Sequence, residues 1–482
     1  MGELLDAAGL PSELGPLDYL LHRGEANPRT RSGIMGVDLL DVAPDWQRLR
    51  DLFENASRQV LRLRQKVVVP TLPTAAPRWV VDPDFTLDYH LRRVRVPEGG
   101  GLREVLDMAE IALQSPMDIE RPLWSATLVE GLAGGQAAIL MHLSHAVADG
   151  VGSAAMFGRI YDLQRDPPAR TMPPQPVPQD LSADDLMRAG INQLPAAMLG
   201  NTRDVLLGAL SLATRTVRDP VAAFTGAVEY ARSGARVMAR AAEPSPLLCR
   251  RSLSSRTQAL DMRLDDLRRA AKAGGGSIND AYLAAVSGAL GRYHRALGVP
   301  IATLPMAIPV NLRDKGDPAG GNRFTGINLA APVGITDPVE RIAQIRAQMT
   351  QRRDEPAMNV VGSVAPLLSV FPGPVLERMS ESVVSADVQA SNVAFYPGDT
   401  YIAGSKVLRR YGIGPLPGIA MMLVLISGGG QCTVTIRYDR AAVRDEELFA
   451  ACLVDGFDEV LALAGPPTPR CAPVSFEPGS RS

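Results

Sequence analysis

The sequence predicts an α/β protein built as two units. Apolar runs of strand size alternate along the chain with patterns of helical spacing. The alternation is interrupted over 166–179, a stretch dense in proline, and resumes near Arg256. A chain of 482 residues also exceeds what one hydrophobic core usually serves.

The first unit is expected over 1–179. Residues 34–44 and 77–96 read as strands, rich in β-branched or aromatic residues and bounded by Pro and Asp. Between them, 46–65 places Leu49, Leu52, Phe53, Val60 and Leu61 on one helical stripe, and 102–113 repeats that spacing. Residues 136–143 form an apolar run suited to a buried strand, and the turn-rich HAVADG follows. Residues 180–250 read as a helical linker. The second unit, 251–465, is predicted to hold helices at 264–272, 279–297, 338–353 and 445–463. Its strands are predicted at 303–310, 402–407, 421–426 and 432–438. The tail, 466–482, is rich in Pro and Ser and is expected to be disordered.

Bulk composition removes several function classes. With 46% hydrophobic and 21% charged residues the chain is an ordinary globular protein. A net charge of -2 recommends no nucleic-acid partner. The four cysteines lack any CxxC spacing, so neither a metal site nor a disulfide framework is expected, and reduced thiols point to the cytoplasm. The start, MGELLDAAGL, has no basic segment before an apolar run, so no secretory signal is expected. The longest apolar run, 419–426, is strand-sized and well short of the ~18 residues that a membrane span needs.

Of five histidines, two lie in the segment Met141-His142-Leu143-Ser144-His145-Ala146-Val147-Ala148-Asp149-Gly150. Alternation along a strand puts His142 and Ser144 on one side and His145 on the other. His145 is therefore the candidate to face a cleft at the strand end, where a neutral imidazole can accept a proton. Asp149 can set the loop geometry or the tautomer, and Gly150 permits a tight reversal. The spacing alone equally suits a buried histidine followed by a turn aspartate.

The segment resembles the HHxxxDG signature of the bacterial wax ester synthase/diacylglycerol acyltransferase family, which is related to chloramphenicol acetyltransferases and condensation domains. Further segments match that family in order: Pro16-Leu17-Asp18, Trp79 to Phe85 with Asp88-Tyr89-His90, Ser115-Pro116-Met117-Asp118 and Arg121-Pro122-Leu123-Trp124. In the second half, Ile278-Asn279-Asp280, Gly321-Asn322-Arg323-Phe324, Ser391-Asn392-Val393, Gly414-Pro415-Leu416, Gly418 and Asp439 continue the series. The resemblance implies two acetyltransferase-like subdomains with a cleft or tunnel between them. It also implies direct acyl transfer with His145 as general base, and no cofactor, since fatty acyl-CoA is a substrate. Long-chain alcohol or diacylglycerol is the implied acceptor. The implied location is cytoplasmic, at the inner face of a membrane or a lipid-droplet surface.

The same resemblance assigns roles. Asp149 holds the loop rather than relaying a proton, with Ser144 and Gly150 supporting it. Asn279 and Asp280 lie near the site, although both also suit a helix cap. Ser391, Asn392 and Asn322 are expected to contact substrate. Two departures stand out. Ser144 replaces the first motif histidine, and Ala394-Phe395-Tyr396-Pro397-Gly398 replaces the family's PGP, which bears on the acceptor pocket. Two rival readings stay open: a condensation-like enzyme taking its donor from a carrier protein, and an impaired lipid-binding homologue. Arg232, Arg236 and Arg240 recur on one stripe of 221–241. They suit a surface helix, a lipid-facing helix, or, with Arg250 and Arg251, contacts to coenzyme A phosphates.

Overall fold

The computed structural model describes residues 12–72, 74–148, 152, 156–192, 240–311, 324–353 and 386–465. In the first half, helix α1 (Pro16–Gly24) leads into strand β1 (Gly33–Leu40) and helix α2 (Trp46–Gln59). The short pair β2 (Gln65–Val68) and β3 (Arg78–Val81) precedes β4 (Leu91–Gly100), α3 (Leu102–Gln114), β5 (Trp124–Leu132) and β6 (Ala137–Ser144). The second half carries β7 (Ser255–Arg263), α4 (Leu264–Ala273), α5 (Ile278–Ala296), β8 (Leu304–Asn311) and β9 (Phe324–Ala331). It continues with α6 (Pro338–Arg353), β10 (Val388–Ala394), β11 (Tyr401–Ile402), β12 (Ser405–Ile413), β13 (Met421–Gly428), β14 (Gln431–Asp439) and α7 (Glu446–Leu461).

The strands form two six-stranded sheets, ordered β11-β12-β1-β6-β5-β4 and β7-β14-β13-β10-β8-β9. Helices cover both faces of the first. Leu49, Leu52 and Phe53 of α2 pack with Ile139, Met141 and Leu143. Val105, Leu106 and Ala109 of α3 pack with Val37, Ala138 and Leu140 on the opposite face. Alternation on β6 thus feeds two cores at once. The helices of the second half cover one face of the second sheet. At the closest crossing, a Cβ on Gly456 would lie 2.6 Å from the Ala285 carbonyl oxygen and 2.7 Å from the Ala289 nitrogen, so α7 and α5 meet backbone to backbone.

The sequence boundary near 250 separates the sheets except at one place. Residues 401–413 leave the second half for the first sheet, where 407–413 pair antiparallel with β1, with Asp38 opposite Arg410 and Met35 opposite Ile413. The sequence reading expected one short strand at 402–407. The structure instead has a hairpin, turned at Ala403 and Gly404, and a strand running on to Ile413. Side chains of β14 tie this strand to the second sheet. Thr433 donates to the Arg410 carbonyl, Thr435 to Gly412 and Arg437 to Gly414, the last at 3.3 Å. A buried ion pair between Glu110 of α3 and Arg437, 2.6 Å long, adds a second tie between the halves.

Two further differences from the sequence reading concern boundaries. The strand expected over 77–96 is broken by a helical turn at Leu87–His90. The helix expected to reach residue 65 ends at Gln59 and continues as a 3-10 turn, Leu61–Arg64. Of the linker, 183–192 is helical. The arginine stripe at 232 and 236, and the tail 466–482, lie outside the described residues.

Candidate active site

Strand β6 is buried along its whole length, and its last residue opens the turn that presents His145. The Ser144 nitrogen donates to the Leu123 carbonyl, and the Val147 nitrogen donates to the Ser144 carbonyl, each at 3.0 Å. The Ser144 hydroxyl accepts from the Ala146 nitrogen at 3.2 Å and donates to Glu25 Oε1 at 2.7 Å. A serine can close the turn on itself in this way because its short side chain reaches the amide two residues on. Ala146, Val147 and Ala148 are buried behind the turn, while His145 stays half-buried.

Glu25, at the C-cap of α1, is itself buried. Burial pushes its carboxyl above the usual range, against the opposing effects of the Ser144 hydrogen bond and the Arg31 charge. No feature of the sequence marked Glu25, which is one acidic residue in a polar loop.

His145 lines a cavity of about 220 Å³ between the two sheets. One wall comes from three adjacent strands: Ile34, Gly36 and Asp38 on β1, Met141 and Leu143 on β6, and Arg410 and Gly412 on β12, with Gly414 just beyond it. The facing wall is Gln389, Ser391 and Val393 of β10 beside their partners Met422, Val424 and Ile426 of β13. Phe395, in the segment that departs from the family pattern, also lines it.

The slot is mostly apolar, but its far end is not. From the His145 end, marked by Ile34, it extends four strand residues to Asp38, roughly 13 Å at the usual strand rise. There Asp38 accepts from Tyr161 Oη at 2.5 Å and from Arg410 Nε at 2.7 Å. The Arg410 guanidinium lies 4.3 Å from the Tyr161 ring centroid and 4.4 Å from that of Phe395. Burial opposes the Arg410 charge, yet Asp38 and Tyr161 lift its pKa above the ordinary guanidinium value.

His142 turns away from this slot, into a separate cavity with Trp124 and Ser125. Burial, helped by the charges of Arg437 and Arg31, pushes its pKa down to about 3. Gly33 permits the packing, since a Cβ there would sit 2.6 Å from the His142 Nε2.

The predicted pair Asn279 and Asp280 divides in two. Ser277 is the N-cap of α5, and Asp280 completes a capping box, accepting from the Ser277 nitrogen at 2.8 Å. Asn279 is not the cap. Its Oδ1 lies 3.5 Å from Asn392 Nδ2, at the margin of the slot that Asn392 and Ser391 line. Asp149, Gly150 and Asn322 lie outside the described residues. No group of three or more potential metal ligands occurs among the described residues. No helix among them is long and apolar enough to cross a membrane.

Comparison with known proteins gives a consistent family assignment. The wax ester synthase/diacylglycerol acyltransferase catalytic domain matches residues 5–282, and the C-terminal domain of the same family matches 320–460. A Mycobacterium tuberculosis protein provisionally named a diacylglycerol O-acyltransferase is 69% identical over 477 residues, spanning 99% of this chain and 97% of that protein. A second protein of that organism, provisionally named alike, is 28% identical, over 89% of this chain and 92% of its own. Among solved structures, a wax ester synthase/diacylglycerol acyltransferase from Marinobacter aquaeolei VT8 superposes with a TM-score of 0.63 at 20% identity, covering 94% of this chain and all of that one (100%). The first condensation domain of the CDA synthetase gives 0.59 at 16% identity, covering 96% and 98%. These two likenesses establish the fold, including the two condensation-like halves.

Proposed function

The chain belongs to the wax ester synthase/diacylglycerol acyltransferase family and is an acyltransferase, and on that premise we propose that His145 drives direct transfer of a fatty acyl group from coenzyme A to a long-chain alcohol or diacylglycerol. In this reading the imidazole takes the proton of the acceptor hydroxyl as its oxygen adds to the thioester carbonyl. The tetrahedral oxyanion then collapses, the carbon–sulfur bond breaks, and the departing thiolate takes the proton from the imidazolium. One ester and one free thiol result, with no acyl-enzyme and no cofactor consumed.

The observation that carries this reading is the position of His145 on a mostly apolar slot between the sheets. Such a slot suits a hydrocarbon chain whose reactive end stops at the imidazole. Ser144, Asp149 and Gly150 are assigned to hold the loop, and Asp280 to hold the start of α5. Asn279 is assigned to the oxyanion side, where an amide donor stabilises developing charge. Ser391, Asn392 and Asn322 are assigned to substrate contact. We place the reaction at the cytoplasmic surface of a membrane or lipid droplet, where both substrates partition.

The test is to offer purified protein a panel of alcohols and diacylglycerol with acyl-CoA and acyl-carrier donors, and to identify the products by mass. Esters from acyl-CoA are expected, and His145→Ala should abolish the release of coenzyme A. Substantial turnover in that variant would remove His145 as the base, and a requirement for a carrier protein would overturn the donor.

A further inference from the structure

We propose that an arginine-lined cavity beside the His145 loop is the binding site for the phosphate groups of the acyl donor. This rests on the acyl-CoA reading above but is carried by separate residues. The cavity, about 550 Å³, lies where the two halves meet, and Arg29, Arg31, Arg240, Arg251 and Arg437 line it with two carboxylates, Asp387 and Asp439.

Both carboxylates are engaged by neutral donors. Asp439 accepts from the Ser252 nitrogen and hydroxyl and from the Ala441 nitrogen, and Asp387 accepts from the Ser245 nitrogen at 2.6 Å. Two of the guanidiniums are oriented by carbonyl oxygens. Arg31 donates to the carbonyls of Glu25 and Gln114. Arg251 donates to those of Gly418, Leu248 and Arg250, with its nearest carboxylate oxygen, on Asp387, 3.9 Å away. Arg29 is exposed at the mouth. Arg437 is already paired with Glu110; oriented guanidinium forks such as those of Arg31 and Arg251 are what phosphate recognition needs.

Position links this cavity to the thioester chemistry. Residues 28–31 run directly into β1, whose first residue, Gly33, pairs with Ser144, the neighbour of His145. On the other side one stretch of chain serves both cavities. Gly414 and Pro415 line the His145 slot, and Leu416, Pro417 and Gly418 line the arginine cavity. A donor with phosphates in one and its acyl chain in the other would pass the imidazole on the way. The volume suits a polar ligand of nucleotide size.

Titration calorimetry on the full chain tests this without turnover, using free coenzyme A, pantetheine and vesicles containing phosphatidylglycerol as probes. The double variant Arg29→Gln, Arg240→Gln, checked to be folded by its melting curve, should weaken coenzyme A binding about tenfold or more and leave pantetheine unaffected. Arg268→Gln, an exposed arginine on α4, should bind coenzyme A as the wild type does. The proposal falls if the folded double variant keeps its affinity for coenzyme A, or if pantetheine binds as tightly as coenzyme A. It also falls if only vesicle binding responds to the substitutions, which would make the ligand a lipid headgroup. Binding that persists in a protein inactive towards every alcohol would sink the transferase reading and keep the site. Turnover with coenzyme A affinity indifferent to these arginines would do the reverse.

Discussion

Glu25 and Ser144, 119 residues apart in sequence, are joined by a 2.7 Å hydrogen bond in a place closed to solvent. The same hydroxyl accepts from the Ala146 amide, so one oxygen couples α1 to the turn that carries His145. Ser144→Ala would strand both partners. It should lower stability by about 1–3 kcal/mol in urea unfolding, and depress kcat more than KM. Ser144→His should reach no more than the wild-type rate, because the serine already satisfies both partners. A several-fold gain would show that the natural loop is imperfectly held.

Stability should fall on the acid side. Burial holds His22 and His90 down to about 4 and His142 to about 3, whereas an unfolded histidine titrates near pH 6.5. Between those values the unfolded chain takes up protons that the folded chain refuses. The stability from these three groups is therefore present above pH 6.5 and lost as pH falls towards 4, on the order of 3 kcal/mol each. Glu25 acts in the opposite sense. Its raised carboxyl favours the fold while neutral, and that contribution is lost as pH rises through its folded value. Urea midpoints measured from pH 7 to 4.5 check the first effect. A flat profile would show that these rings protonate without unfolding. Glu25→Gln should gain on the wild type as pH rises.

Chain-length selectivity should answer to the slot. Val424 faces it from β13, and Val424→Trp would fill much of its width. The variant should lose at least about tenfold in kcat/KM for long-chain donors, a barrier of roughly one decade, and retain turnover of acetyl-CoA. Equal loss for both donors would place the hydrocarbon elsewhere.

The crossing of α5 and α7 should tolerate no side chain at Gly456. Gly456→Ala sets a methyl against backbone atoms that cannot rotate away, and a loss of about 1–3 kcal/mol is expected. Thermal unfolding measures it, and an unchanged midpoint would mean that the helices slide apart freely.

Much of this fold was legible because amphipathic helices carry their pattern locally. The helices predicted at 264–272, 279–297 and 338–353 match α4, α5 and α6 to within one residue at either end. Strands β2, β5, β7, β9 and β10 and the full length of β12 were missed; β12 takes its partner β1 from the far end of the chain, whereas β5 and β9 pair with the neighbouring β6 and β8. The site divides the same way. His145 sits in a contiguous motif and could be picked out, but the buried pair of Asp38 and Arg410 joins positions 372 residues apart. Asp38 did leave a trace, as a charge inside an apolar strand pattern. The Asn279-Asp280 pair shows the limit of a motif. Both residues suit a cap, and only the geometry assigns that work to Ser277 and Asp280.

The strand that crosses from the second half into the first sheet governs how the protein is made. Until residue 413 has left the ribosome, β1 presents a bare edge, because its neighbour on that side is β12. At ordinary synthesis rates that edge waits on the order of tens of seconds after β1 itself emerges. The amino-terminal half is therefore not a separable product, and expressing it alone should yield sticky, self-pairing material. Supplying the missing hairpin as a second polypeptide is the direct way to rescue it.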